Sequence, residues 1–399
     1  MTLHRYLDRF DQQQLDKQTA VLVRYAGQLN QTLMAHAYDL LTRAHPVLAG
    51  RVRPAADGYV LEVPDDTRVH FEFHRDAGYD YLHEIVQEWD FQEKVAQLTV
   101  LQATNGGLVA MHTDHCIADG DAKLALLRQL LQFHSTLAAG GRPQVELSRT
   151  LPAGAEEVLG RVAPGTSAGT GTSAYESFPF RQHYLHLSER QTHALLAAAR
   201  SLRTSLHALI CGAVLVAQRG YLRPGQNTMV CRTPVNLRSR IGNGIESTAV
   251  TNLSGLHLAE VEVTPDADPS DVGRRIKQQL DAGIADGAPI RDILGRYPGK
   301  PEAYDDATLQ VANVSNLGAI PPFPAPPGIV ITDFQILTQK SGYKHPGWVA
   351  YTYGGRLTVQ IVAHAGIYSA ADVSALADAF SAQLHRLSAG VQMTGEATR

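Results

Sequence analysis

Residues 111–120 read MHTDHCIADG: two histidines, an aspartate and a cysteine ahead of a closing Asp-Gly. The stretch sits between two recognisable elements. Upstream, "VAQLTVLQA" and "GLVAMHT" are apolar, β-branched runs separated by Thr104-Asn105-Gly106, a hairpin signal. Downstream, Leu124, Leu127, Leu131 and His134 recur at helical spacing up to Gly140, a C-terminal stop. His115 is therefore expected where a strand gives way to a loop and a helix. Three readings compete. His115 with Asp119 and Gly120 could form a general-base site. His112, Asp114 and His115 could hold a metal. Or the stretch is a polar strand end followed by a turn.

The rest of the chain alternates strands and helices in two rounds, which makes the fold class α/β. In the first round "TAVLVRY" reads as a strand, Leu33, Ala37, Leu40 and Leu41 mark a helix face, Pro46 ends that helix, and "GYVLEV" leaves a turn at Asp57-Gly58. "APGTSAGTGTSAYESFP", residues 163–179, is rich in Gly, Ser, Thr and Pro and nearly free of charge. We place a linker there, between an N-terminal lobe over 1–162 and a C-terminal lobe over 180–399. The second round opens with "RQHYLHLS", a capping box at Ser188 and Gln191, and an apolar helix from Ser205. Strand signals follow in "NTMVCRTPVN", "ATLQVANVSNLG", "IVITDFQIL" and "RLTVQIVAH", and a last helix carries Val373, Leu376, Phe380 and Leu384 on one face. Two lobes built alike place a ligand site at their interface.

Composition narrows the classes. The chain has 399 residues, 44% hydrophobic and 19% charged, with a formal net charge of -4. It can bury a core, and it lacks the basic balance of a nucleic-acid binder. Cys116, Cys211 and Cys231 are too few and scattered for a disulfide framework. The first residues carry charges throughout, and "ALICGAVLVA" is too short for a membrane span. The expectation is a cytoplasmic protein with no membrane span and no nucleic-acid partner.

An imidazole at a strand exit is held at one end, and its ordinary pKa lies near neutrality, so it can take and return a proton. Asp119 would brace the loop by pairing with an arginine, and Gly120 would allow a tight backbone path. Taken alone, His-x-x-x-Asp-Gly is equally well a hydrogen-bonded histidine beside a turn. The metal reading needs a histidine at position 110 to complete a His-x-His-x-Asp-His run, and Ala110 stands there. Cys116, next to His115, reads as a buried, inert thiol rather than a nucleophile. Tyr343, Lys344, His345 and Trp348 read as a surface loop.

Four segments together resemble a known group. "TRAHPVLAGRV" (42–52), "DHCIADG" (114–120), "TPVNLRSR" (233–240) and "VANVSNLG" (311–318) are similar, in order and spacing, to the two-lobed chloramphenicol-acetyltransferase-like acyltransferases. That superfamily includes polyketide-associated acyltransferases of the phthiocerol-ester type and condensation domains of nonribosomal peptide synthetases. The resemblance implies two lobes forming a V with the active site at their interface. It implies transfer of an acyl group from a thioester, on coenzyme A or an acyl carrier protein, to an alcohol or amine, with no bound cofactor. His115 is then the general base. Asp119, Gly120 and Arg238 hold the site, and Asp114, Asn313, Ser315 and Asn316 line the tunnel or donate hydrogen bonds there. The first histidine of the signature doublet is Asp114 here; in an extended segment it would point away from His115. The alternatives are a free-standing condensation enzyme forming an amide, a metal-dependent hydrolase using the HTDH stretch, and a non-catalytic module that docks a carrier.

Overall fold

The computed structural model describes residues 2–65, 69–82, 85, 89–162, 178–222, 225–241, 244–295, 309–338, 340–341 and 344–396. Most of the expected linker, 163–177, lies outside them, as does Tyr343; residues 178 and 179 already belong to a strand.

The first lobe is built on the strands β1 (Leu3–Tyr6), β2 (Gln18–Ala26), β3 (Arg51–Ala55), β4 (Gly58–Val63), β5 (Phe71–Arg75), β6 (Ala96–Ala103) and β7 (Gly106–Asp114). Among the described residues β1, β4 and β3 form a small sheet beside the main one. The β6–β7 pair is the hairpin expected around Asn105, with Ala103 facing Gly106. Along β7 the side chains alternate between two apolar clusters. Val109 and Met111 join the helices Gln31–Ala44 and Gly120–Ala138 in the lobe's main core. Leu108 and Ala110 face Leu82, Ile85 and Trp89 on the other side. A strand buried on both faces cannot slip by one residue without inverting both clusters, so the register that delivers residue 115 is fixed.

The second lobe uses β8 (Phe178–His186), β9 (Thr228–Asn236), β10 (Ser254–Glu262), β11 (Val311–Ile320), β12 (Val330–Thr338), β13 (Lys340–Ser341), β14 (Gly347–Tyr353) and β15 (Arg356–His364). The order β10-β9-β11-β14-β15-β8-β13 makes its sheet. The apolar helix Leu206–Arg219, capped by Ser205, is buried in its core against Pro269–Ala285 and Ala370–Glu396.

One strand crosses over. β12 pairs antiparallel with β2, giving the first sheet the order β12-β2-β7-β6-β5. Phe334 and Ile336 enter the first lobe's core. The span 180–399 is therefore not self-contained, a correction to the expected division. Alternating apolar residues announce a strand, but its partner is chosen by which sheet edge can bury them. Phe10 packs the opposite way, onto Val235, Leu237 and Val250. The two lobes are stitched together in both directions.

Candidate active site

A cavity of about 360 Å³ lies between the lobes. His115, Asp119, Gly120, Asn313, Ser315 and Asn316 all line it. Arg238 stands behind the wall, and Asp114 does not reach the cavity. Asp114 is fully buried, and its carboxylate accepts the backbone N–H groups of Asp16 (3.0 Å) and Cys116 (3.0 Å). Its placement among the tunnel residues is corrected by strand parity. It shares a face with Leu108 and Ala110, and it closes the strand end instead. Burial raises its pKa to about 6, with the Cys116 N–H opposing.

The loop from His115 to Asp119 is held at both ends. The His115 N–H donates to the Lys17 carbonyl at 2.8 Å. Asp119 is the N-cap of the helix Gly120–Ala138; its Oδ1 accepts from the Ala122 N–H at 3.1 Å. Its Oδ2 accepts from Arg238 at 2.5 Å and from the Leu253 N–H at 2.9 Å. The Asp119 N–H in turn donates to the Thr251 carbonyl (3.0 Å), and Arg238 donates to the Val250 carbonyl (3.0 Å). Arg238 is 3% exposed, so the arginine is buried together with the carboxylate it holds. The ion pair thus clamps residues 250–253 of the second lobe onto the signature loop of the first. Gly120 has no left-handed backbone; a Cβ there would sit 2.9 Å from Leu317 Cδ2, so close approach to β11 is what its small size allows.

The clamp brings in a residue that the sequence reading missed. The Asn252 Nδ2 lies 3.0 Å from His115 Nδ1, while its Oδ1 accepts the Ser254 N–H at 3.1 Å. The amide nitrogen packs against the ring edge at Nδ1 and fixes its orientation. The ring also donates to its own backbone carbonyl, a bond within reach of an Nδ1–H, and that tautomer leaves the Nε2 lone pair for a substrate. The His115 pKa is held well below the usual histidine range, first by burial, then by the positive charges of Lys123 and Lys17; a hydrogen bond to its own backbone opposes this. The ring is neutral at physiological pH, the state a base requires.

Lys17, Thr19, Lys123 and His345 also line the cavity. Lys123 had a visible signal: it shares a helix face with the buried Leu126, Leu127 and Leu130, where an apolar residue belongs. His345 and Trp348 are 1% and 0% exposed, and Trp348 lies in β14. The surface-loop reading is corrected for these two residues, while Lys344 is exposed as that reading expects; Trp348 packs against Phe380 and donates to Gln218 at 2.9 Å. Cys116 is fully buried with its thiol pKa pushed well up by burial, as an inert thiol requires. Among the described residues, no three His, Cys, Asp or Glu side chains are arranged to hold a metal ion.

Comparisons with known proteins agree with this architecture. The chain is similar to the structure of polyketide synthase associated protein 5 from Mycobacterium tuberculosis, with a TM-score of 0.81, 21% identity, and coverage of 97% of this chain and 98% of that one. It is also similar to the first condensation domain of the calcium-dependent antibiotic synthetase, with a TM-score of 0.72, 14% identity and 97% of both chains covered. The chain shares its two-lobed fold with these proteins. Residues 176–362 match the family described as phthiocerol/phthiodiolone dimycocerosyl transferase C-terminus. A phthiocerol/phthiodiolone dimycocerosyl transferase from Mycobacterium tuberculosis is 23% identical over 366 residues, covering 79% of this chain and 81% of the relative.

Proposed function

We propose that the protein moves an acyl group from a thioester, on coenzyme A or the phosphopantetheine arm of an acyl carrier protein, to an alcohol, with His115 as general base. The observation that carries this reading is a neutral histidine, fixed at Nδ1, on the wall of an interlobe cavity. Nε2 takes the proton of the hydroxyl as its oxygen attacks the carbonyl carbon. The tetrahedral intermediate collapses, the C–S bond breaks, and the imidazolium returns the proton to the leaving thiolate. Ester and free thiol are the products, and no covalent enzyme intermediate is needed.

The developing oxyanion needs hydrogen-bond donors. We assign this to the β11 segment. The Asn316 Oδ1 accepts the Gly318 N–H at 2.8 Å, which leaves its Nδ2 as a donor. The Ser315 hydroxyl and Asn313 lie beside it on the cavity wall. The register shift between Asn316 and Ala319 re-aims this stretch. An amine in place of the alcohol would give an amide by the same steps, and the likeness to a condensation domain favours keeping amines in the test. Incubation with a panel of acyl-coenzyme A thioesters and small alcohols and amines, followed by mass spectrometry, tests the proposal. An ester or amide formed by the wild type and lost in His115→Ala is expected. Product formed equally by both proteins would remove the base assignment.

A further inference from the structure

Two lysine ammonium groups line the cavity that holds His115. Lys123 lies in the first turns of the helix Gly120–Ala138, is 2% exposed, and donates its Nζ proton to the Thr19 hydroxyl. Lys17, 7% exposed, donates to Gln14 Oε1 at 3.1 Å. Lys17, Thr19 and Lys123 line the same cavity as His115. Among the described residues no carboxylate lies within ion-pair distance of Lys123. The nearby acids are committed elsewhere: Asp119 to Arg238, Ala122 and Leu253, and Asp114 to the N–H groups of Asp16 and Cys116.

An ammonium withdrawn from water with a hydroxyl for its partner is costly to keep. The fold does not require it. In the second lobe Ser369 stands just before the helix Ala370–Glu396 as Asp119 does before Gly120–Ala138, and the residue matching Lys123 is Val373, which is buried. The helix position can therefore be filled by a hydrophobe, and Asp114 and Asp119 act on the ammonium only at a distance, without ion-pair contact.

We propose that one of the two substrates carries a carboxylate, seated against Lys123 with Lys17 at its flank. The inference rests on the acyl-transfer reading for the word substrate, and on the cavity alone for the anion. Such a group would also serve the base. Lys123 and Lys17 both depress the basicity of His115; a carboxylate seated between them would offset their field and make the imidazole a better proton acceptor once the substrate is in place.

The test compares matched pairs that differ in the carboxylate alone, using the full chain and reading apparent affinity from ligand-dependent shifts in Tm. In one arm glutaryl-coenzyme A is set against pentanoyl-coenzyme A; in the other, 6-hydroxyhexanoate against 1-hexanol. The phosphates of coenzyme A are common to the first pair and cancel in the ratio. A preference of roughly tenfold or more for the carboxylate in one arm is expected, the size of a charge-assisted contact. The arm that shows it says whether donor or acceptor carries the group. Lys123→Met should bring that ratio to about one, with Lys123→Gln as a second variant that keeps a polar partner for Thr19. Ratios near one in both arms of the wild type, or a preference that survives both variants, would overturn the inference. Turnover of neutral pairs with no carboxylate preference removes this inference and leaves acyl transfer standing. A Lys123-dependent preference with no turnover in any pairing does the reverse.

Discussion

Strand β7 enters its helix through the residues His115 to Asp119, and strand β15 enters its own through Ala365 to Ser369. The two connections are equal in length, and each offers a capping oxygen to the N–H three residues on. Ser369 Oγ accepts from Asp372 at 3.1 Å, and Asp372 returns the bond by accepting the Ser369 N–H at 2.8 Å. That reciprocal cap closes on itself. Asp119 caps Ala122 with one oxygen and sends the other across to Arg238 and Leu253. A serine serves where a helix has only to begin. A buried carboxylate serves where the helix start must also hold the other lobe, and it then needs a cation. The remaining contrasts follow that wiring: Ala365 against His115, and Val373 against the cavity ammonium of Lys123.

Two sets of substitutions put that comparison under load. His115→Ala should lower kcat/KM by roughly 10²–10⁴-fold, the usual worth of a general base. Its far-ultraviolet circular dichroism and Tm should stay close to wild type, since the ring's bonds are peripheral to both cores. A variant that unfolds would mean that the loop is structural first. Asp119→Ala leaves Arg238 buried without its carboxylate and should cost about 3–5 kcal/mol in chemical denaturation. Ser369→Ala, the matched change in the second lobe, removes a cap and should cost about 1 kcal/mol. Equal losses at the two positions would sink the idea that one cap spans the lobes and the other does not.

Much of this arrangement could be read from the sequence, because local pattern carried it. The β6–β7 hairpin around Asn105, the Ser188–Gln191 capping box and the Ser205 cap depend on residues near one another in the chain. Arg238 was reached through resemblance, since nothing in "NLRSR" alone says that the arginine is buried. What stayed hidden depends on distant pairing. β12 reads as a strand, but its choice of β2 as partner is made by the first lobe's unfilled sheet edge. Asn252 sits in "TNLSG", a polar run without periodicity, and gains its position from the Asp119–Arg238 clamp 119 residues apart in sequence. Trp348 and His345 look like loop residues until the parallel pairing of β14 with β11 draws them inward.

The smallest expected effect concerns pH. If His115 must be neutral to act, the acid limb of the kcat/KM profile reports its pKa, and burial together with Lys123 and Lys17 places that limb below the ordinary histidine range. Activity should therefore persist into mildly acidic buffer. Lys123→Met removes one of the three causes and leaves burial and Lys17 in force, so the limb should move upward but only part of the way back. The sign follows from charge: a nearby cation opposes protonation of the ring, and deleting it lets the ring protonate at higher pH. Profiles of the two proteins with the same uncharged substrate pair measure this directly. An unmoved limb would mean that the Lys123 ammonium is screened from His115, and that the lysine, like Val373, answers to its own helix face rather than to the base.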